Sequence, residues 1–356
     1  MTPRVTLEDV AAMSGVSVSA ASRALNGRDG VRDEVRERVR TVAAGLGYRP
    51  NRAAKNLAGG RTALIALLLG PTDLAKDPYA GSLLHAISTA ADAAGEGLIL
   101  INDSPNPRIA VQDLQRDGLV EGVIISIVAL GERWVEDLLG ANIPTVLVGA
   151  HPRRSDVHVV DVENTESSAA IVGHLFDQGL TRIATMTGPL HRVDAQDRLA
   201  GYHVAHVRRG RKVDESLVFE SDFTRDGAYL LADRVLATEP EAVFCGNDQM
   251  AVALHRRATE LGISIPGDLA LCGFDGNREF FLPDLTTVCQ PYSELAATAV
   301  RTLTDLIHGT QPRMLQLIEP KIFWGSTTPE TLSPEKRTCE LRTRGNPKVE
   351  LAGGLP

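Results

Sequence analysis

From Thr62 onward the chain repeats one unit, a short run of Val, Ile and Leu followed by a stretch with helical periodicity. ALIALLL (63–69), GLILIN (97–102), GVIISIV (122–128) and TVLVG (145–149) form a first series. RIATMTG (182–188), EAVFCGND (241–248) and LALCGFD (269–275) form a second. Helical patterns lie between them, such as AGSLLHAISTAADAAG, whose Leu83, Leu84, Ile87 and Ala91 share a face. Near-continuous apolar strands alternating with helices predict parallel sheets covered on both sides. Two series predict two lobes of roughly 100 to 130 residues each.

The first 50 residues follow a different rule. VTLEDVAAMSG sets Thr6 three residues before Asp9, a variant of the capping box, with Leu7, Val10, Ala11 and Met13 at helical spacing and Gly15 as terminator. Ser17 is placed to cap a second helix, SVSAASRALNG, whose Ala21, Ala24 and Leu25 share a face. A third helix carries Val35, Val39, Val42, Ala43 and Leu46 on one stripe. The three stripes can close a small all-α core.

Charge divides the same way. Residues 1–60 hold ten basic and six acidic side chains, a surplus of four, in a chain whose total is −8, so the remainder carries −12. A basic head on an acidic body predicts contact with a polyanion at the head alone. No apolar run reaches the roughly 18 residues needed to cross a bilayer. The N-terminus meets acidic residues before any apolar signal region forms, so export is not expected and the expected location is cytoplasmic. Cys245, Cys272, Cys289 and Cys339 lack metal-ligand or C-x-x-C spacing, and the first three read as buried thiols. No metal or cofactor is expected. GxSxG, GxxxxGK[ST], HExxH and a post-strand GxGxxG are all missing, so the chain does not read as an enzyme.

Two short helices joined by a tight turn let one of them enter a DNA major groove. The run VTLEDVAAMSGVSVSAASRALNG, followed by GYRPNRAAKNLAGGRT, closely resembles the headpiece and hinge of the lactose-repressor (LacI/GalR) family of bacterial transcription regulators. DPYAGSLLHAI, GPLHRVDAQDRLAGY, VFCGNDQMA, CGFD and LTTVCQP stand in that family's order, so the resemblance covers residues 4–330. It implies a helix-turn-helix headpiece (1–50), a hinge helix and linker (51–60) and a two-lobed α/β sensor domain like the periplasmic sugar receptors (61–330). The chain would cross between lobes three times, giving lobe one about 61–162 and 292–322, and lobe two about 163–291 and 323–330. The Pro- and Gly-containing tail (331–356) is expected to be mostly disordered. The implied protein is a homodimer, with a tetramer as the alternative, that represses transcription from double-stranded operator DNA.

The DNA-contacting set implied by the resemblance is Thr6, Ser17, Val18, Ser19, Ser22, Arg23 and Asn26, with Asn51, Ala54 and Leu57 in the hinge. Val18 can only touch a thymine methyl or exclude a base, Ser19 can pair with donor or acceptor, and Arg23 can grip guanine O6 and N7. Ser17, Ser22 and Asn26 can contact phosphate or cap. Arg32 replaces the usual hydroxyl cap of the third helix. Residues 51–58 span only about two turns and should fold on DNA, where the resemblance has Leu57 wedge into the minor groove beside Ala54.

Ligands of parallel-sheet lobes collect beyond the carboxyl ends of the strands. The implied effector set is Tyr79 and Phe223 as walls, Arg198 as the family's effector-binding arginine, Asn247 and Asp275 at strand ends, and Gln290 in a crossover. Arg192 and Asp194 join them from a loop that purine-binding members use. Asn247 and Asp275 are equally placed to cap the helices that follow. Stacking plus planar donors and acceptors suits a hydroxyl-rich neutral molecule, with sugar, sugar derivative and nucleoside all open. Many sugar-binding members place an acid at the end of the strand TVLVG, where this chain has Gly149-Ala150-His151. The alternatives are a regulator of the same fold controlled by a protein partner, and a solute receptor.

Overall fold

A computed structural model describes residues 5–25, 29–48, 62–70, 72–102, 107–127, 133–149, 156–277 and 282–329. Two compact units emerge, residues 1–63 and 64–356, and each is taken by itself. The expected tail, the hinge segment and Asn26 lie outside the described residues.

In the first unit, α1 spans Leu7–Ser14, α2 Val18–Leu25 and α3 Asp33–Gly45. The capping box at α1 is complete: the Thr6 hydroxyl accepts from the Asp9 N–H at 3.3 Å, and the Thr6 N–H donates to Asp9 Oδ2 at 2.8 Å. The Ala20 N–H donates to Ser17 Oγ at 3.2 Å, so Ser17 caps α2. Arg32 precedes α3 without a side-chain cap. Val10, Ala11, Ala21, Ala24, Val39 and Ala43 form the core, with Val35, Val42 and Leu46 packed at its edge.

The second unit holds two six-stranded sheets. Sheet one comprises β1 (Leu64–Leu69), β2 (Gly97–Asn102), β3 (Gly122–Ser126), β4 (Thr145–Val148), β5 (His158–Val162) and β11 (Leu315–Ile318), in the order β11-β5-β4-β3-β1-β2. Sheet two comprises β6 (Ile183–Thr187), β7 (Val218–Glu220), β8 (Ala242–Cys245), β9 (Ala270–Asp275), β10 (Thr286–Cys289) and β12 (Lys321–Phe323), in the order β12-β10-β9-β8-β6-β7. All neighbours run parallel except β10 and β12.

Helices cover both faces of each sheet, as the unbroken apolar strands demand. On sheet one, Ile65, Leu67, Ile124 and Val146 face α4 (Pro78–Ala93) and α11 (Tyr292–Ile307). Ala66, Leu68, Val123 and Ile125 face α5 (Pro107–Arg116) and α6 (Arg133–Leu139). On sheet two, α7 (Asn164–Asp177) and α8 (Val193–Arg208) cover Phe244 and Phe274. Ala184, Val243 and Leu271 lie under α9 (Arg225–Leu236) and α10 (Asp248–Glu260). Cys245, Cys272 and Cys289 are buried free thiols.

The chain crosses between sheets after β5, after β10 and between β11 and β12. The third crossing falls at Glu319–Pro320, two residues before the position read from sequence. The register Val288↔Ile322 and Cys289↔Lys321 commits β12 to sheet two from Lys321. Short edge strands of this kind carry too few residues to declare a period.

Candidate operator-reading helix and candidate effector cleft

On α2 the buried Ala21 and Ala24 fix which way the helix faces, and Val18, Ser19 and Arg23 are exposed on the other side. Ser22 is half-buried between the two faces. The Arg23 Nε lies 3.4 Å from the Ser19 carbonyl one turn earlier, which steers the guanidinium along the exposed face. Thr6 and Ser17, expected among the DNA contacts, spend hydroxyl bonds on caps. The Thr6 hydroxyl also donates to Asp9 Oδ2 at 2.8 Å, and the Ser17 hydroxyl lies 3.1 Å from that of Ser19, so a bond from either to phosphate would have to replace one already made. Asn26, Asn51, Ala54 and Leu57 lie outside the described residues.

In the second unit a small cleft is lined by Asp77, Tyr79, Arg192, Asp194, Arg198, Phe223, Asn247 and Asp275. Seven of the eight sensor residues expected from sequence are on this wall. The eighth, Gln290, stands directly behind it and donates from Nε2 to Asp275 Oδ1 at 2.8 Å.

Arg198, on α8, is the centre of the arrangement. It is only 5% exposed, and its guanidinium carbon lies 3.8 Å from the Phe274 ring centroid. Nε donates to Asn164 Oδ1 at 2.9 Å, and Nη1 to the Gly246 carbonyl. Nη1 also lies 3.4 Å from Asp275 Oδ1. Burial pushes the Asp275 carboxyl up to about 6 even though Arg198 and Gln290 pull it down. Asp275 holds φ at 111°, a strained value for a residue with a Cβ.

Arg192, just before α8, grips Asp194 through two bonds, Nε to Oδ1 at 3.0 Å and Nη2 to Oδ2 at 2.7 Å. Burial alone would raise the Asp194 carboxyl, but Arg192 and then Arg198 hold it below the usual range. Phe223 sits beneath both guanidiniums, 5.1 Å from that of Arg192 and 5.7 Å from that of Arg198. Its ring fills the space over Gly188, where a Cβ would fall 2.1 Å from Cζ, so only glycine fits there. Asn247 does two things: Oδ1 accepts from the Met250 N–H and caps α10, and Nδ2 donates to the Phe223 carbonyl at 2.9 Å. Asp275 makes no helix cap among the described residues.

Lobe one supplies Tyr79 and Asp77. A Cβ on Gly149 would lie 2.5 Å from the Tyr79 hydroxyl, and Gly149 has φ +67°. The Tyr79 hydroxyl therefore occupies the space that a side chain at position 149 would take. Burial and the neighbouring Asp161 raise the Tyr79 hydroxyl well above its ordinary value.

Several participants, Asn164 among them, were not read from sequence. Asp77 caps α4, Oδ1 accepting from the Tyr79 N–H at 3.0 Å, and lines the cleft. Its position before Pro78 was a visible cap signal. Asp161, a lone acid in the apolar run VHVVDV, is 3% exposed and takes the Val162 N–H at 2.7 Å. Burial pushes its carboxyl up to about 7. Across the cleft, Ser82 of α4 donates to Asn277 Oδ1 at 3.1 Å, and Asn277 Nδ2 donates to the Tyr292 hydroxyl at 3.1 Å. No sequence pattern announces a pair 195 residues apart.

Residues 6–51 match the model of bacterial regulatory proteins of the lacI family, and residues 172–328 that of the periplasmic binding protein-like domain. The regulator CelR of Thermobifida fusca is 31% identical over 88% of this chain and 95% of its own length. The chain belongs to the lacI family. This lacI-family protein is also 31% identical to the repressor PurR of Erwinia tasmaniensis, over 85% of this chain and 90% of that one. Catabolite control protein A of Priestia megaterium is 30% identical over 85% of this chain and 93% of its own. Among solved structures, the lac repressor dimer bound to operator and the anti-inducer ONPF superposes with a TM-score of 0.80 at 28% identity. That match covers 92% of this chain and 99% of the other. A CelR–cellobiose complex gives 0.70 at 29% identity, covering 91% and 100%. The protein is therefore a DNA-binding transcriptional regulator with a helix-turn-helix head and a periplasmic-binding-protein-like body. Among the described residues no helix is long and apolar enough to cross a membrane, and no cluster of His, Cys, Asp or Glu is placed to hold a metal ion.

Proposed function

We propose that this regulator is a homodimeric repressor whose affinity for a palindromic operator is set by a small polar effector, a sugar, sugar derivative or nucleoside, held in the cleft. The observation that carries the reading is the convergence of seven chemically apt side chains from separate elements on one cleft, with Arg198 and Asp275 at its centre. Paired guanidinium and carboxylate groups offer donors and acceptors side by side, the pattern that vicinal hydroxyls or a base edge require. The names of the relatives support the class: one structure holds a CelR with cellobiose, and another holds the lac repressor with an anti-inducer. At the head, α2 enters the major groove with Val18, Ser19 and Arg23 towards base edges. Asn51, Ala54 and Leu57 of the hinge belong to the same reading.

The test is operator binding with and without an effector found in a sugar and nucleoside panel, for wild type, Arg198→Ala and Asp275→Ala. Both variants should lose the response while still binding operator. An unchanged response at unchanged effector concentration in both would overturn the cleft assignment and place the input on the lobe surface.

A further inference from the structure

Asn277 lies two residues beyond Asp275 and outside the cleft wall, and it is 6% exposed. Its Oδ1 accepts from Ser82 Oγ of α4 at 3.1 Å, and its Nδ2 donates to the hydroxyl of Tyr292, the first residue of α11, at 3.1 Å. Both partners belong to helices that cover sheet one, whereas Asn277 follows β9 of sheet two. The backbone of Asn277 is held from the other side. Its N–H donates to Asp248 Oδ2 at 2.7 Å, and Asp248 Oδ1 takes the Thr287 hydroxyl of β10 at 2.6 Å. Asp248 is 1% exposed, and a carboxylate buried that deeply keeps both hydrogen bonds because leaving either oxygen bare is costly. The segment Gly273–Asn277 is shaped for this. A Cβ on Gly273 would strike Asp248 Oδ1, and one on Gly276, at φ +75°, would lie 2.8 Å from Cys289 Cα. Asp275 at φ 111° and Gly276 make two left-handed positions in succession, a strained turn that delivers Asn277 to lobe one.

We propose that Asn277 is a positioning residue, a clasp that ties lobe two to lobe one without any ligand and sets the resting balance between lobe arrangements. The bond to Ser82 is the one that lobe movement breaks, because it joins side chains 195 residues apart on different lobes. The bond to Asp248 lies within lobe two and keeps Asn277 from following α4 when the lobes part. The bond to Tyr292 holds the start of the helix that returns from the second crossing. Asp275 stands in the cleft wall two residues before the clasp, so a ligand that moves Asp275 moves Asn277 through the strained turn between them. The inference goes beyond the effector reading, since Ser82, Asp248 and Asn277 do not line the cleft and the clasp acts in the ligand-free protein.

The test needs no effector. Full-length wild type, Ser82→Ala, Ser82→Thr, Asn277→Ala and the Ser82→Ala/Asn277→Ala double variant are compared by hydrogen–deuterium exchange, by thermal midpoint and by fluorescence anisotropy on an operator recovered from a random-sequence DNA pool. Ser82→Ala, a change in lobe one, should speed exchange in lobe two over residues 275–277 and at the second crossing over residues 286–292. It should also shift ligand-free operator affinity by about threefold to tenfold, the span of one net hydrogen bond. Ser82→Thr keeps the hydroxyl and should behave as wild type. On top of Asn277→Ala, Ser82→Ala should add nothing, because both remove the same bond. Unchanged exchange in lobe two overturns the proposal, as does an effect of Ser82→Ala that adds in full to that of Asn277→Ala. A lowered thermal midpoint with faster exchange around residue 82 alone also overturns it and reduces the contact to packing. Faster exchange in both lobes with unaltered operator affinity would uphold the clasp and remove lobe arrangement as the control of operator binding. The cleft assignment is tested by Arg198→Ala and stands or falls apart from these variants.

Discussion

Asp161 should weaken the free protein, and replacing it with asparagine should strengthen it. The carboxyl is 3% exposed, and its pKa moves from an ordinary 3.8 to about 7. Desolvation is the largest cause, and Asp194 adds to it. The folded state therefore holds a proton more tightly than the unfolded chain. By linkage, a group of this kind costs stability progressively as pH rises from its unfolded value to its folded value, and the full penalty stands above that window. At about 1.4 kcal/mol per unit, the shift sets a ceiling of about 4 kcal/mol at neutral or higher pH. Asparagine keeps an oxygen for the Val162 N–H, now 2.7 Å away. It also buries an amide whose second donor needs an acceptor, a loss of about 1–3 kcal/mol. Asp161→Asn should thus stabilise by about 1–2 kcal/mol at about pH 8 and give no gain, or a small loss, at about pH 5. Urea unfolding at the two pH values reads this directly. A variant that is less stable at the higher pH, or shifted equally at both, would refute the reasoning and return Asp161 to the rank of an ordinary satisfied carboxylate.

Arg23→Ala should cost roughly 1–3 kcal/mol on the cognate operator and little on random DNA by fluorescence anisotropy, and equal losses would reduce Arg23 to a phosphate contact. Gly149→Ala places a Cβ 2.5 Å from the Tyr79 hydroxyl at φ +67° and should cost about 1–3 kcal/mol in a thermal or denaturant midpoint. Adding Tyr79→Phe should return part of that loss, and if it returns none the clash is not the cause. Leu57→Ala should weaken operator binding and bending while leaving the thermal midpoint of the free protein unchanged. A lowered midpoint with bending intact would place Leu57 in a core.

What could be read from the chain alone depended on how far each feature reaches. ALIALLL and LALCGFD declare buried strands because four or more consecutive apolar residues have no other economical use beside a helix. Val218–Glu220 and Lys321–Phe323 are three residues each and become strands only because β6 and β10 offer an edge to pair with. The cleft was legible where a motif matched the family's, as with Arg198 in DRLAGY, and where Asn247 and Asp275 end apolar strands. It was not legible where two weak signals meet only in space. Asp77 caps α4, a role its place before Pro78 signals, and nothing local says that the same carboxylate lies close enough to Arg192 for their charges to interact. Asn247 shows the converse, since the cap and the cleft position, weighed as alternatives, are both satisfied by one side chain. Gly149 read as a missing acceptor, and only the packed structure shows the Tyr79 hydroxyl in the space a side chain there would take.

The polar groups around Arg198 also explain how a small ligand can act on the crossings between lobes. Asn164, which takes the Arg198 Nε, is the first residue of α7 and follows the first crossing directly. Asp275, beside Nη1, is bonded to Gln290 at the second crossing, and Asn277 reaches Tyr292 just beyond it. One guanidinium thus ties together two of the three connecting segments, while Ser82 and Asn277 join the lobes across the cleft. An effector that only touched sheet two would bind the open and closed arrangements equally and shift nothing. Coupling of the usual 1–3 kcal/mol needs contacts that exist in one arrangement alone. In this cleft such contacts require Asp77 and Tyr79 on lobe one together with Arg198 and Asp275 on lobe two. On the proposed effector reading, the lobe-one wall is where binding would be converted into a preference for one lobe arrangement, and substitutions there should alter the response to effector more than those on the outer faces of either sheet.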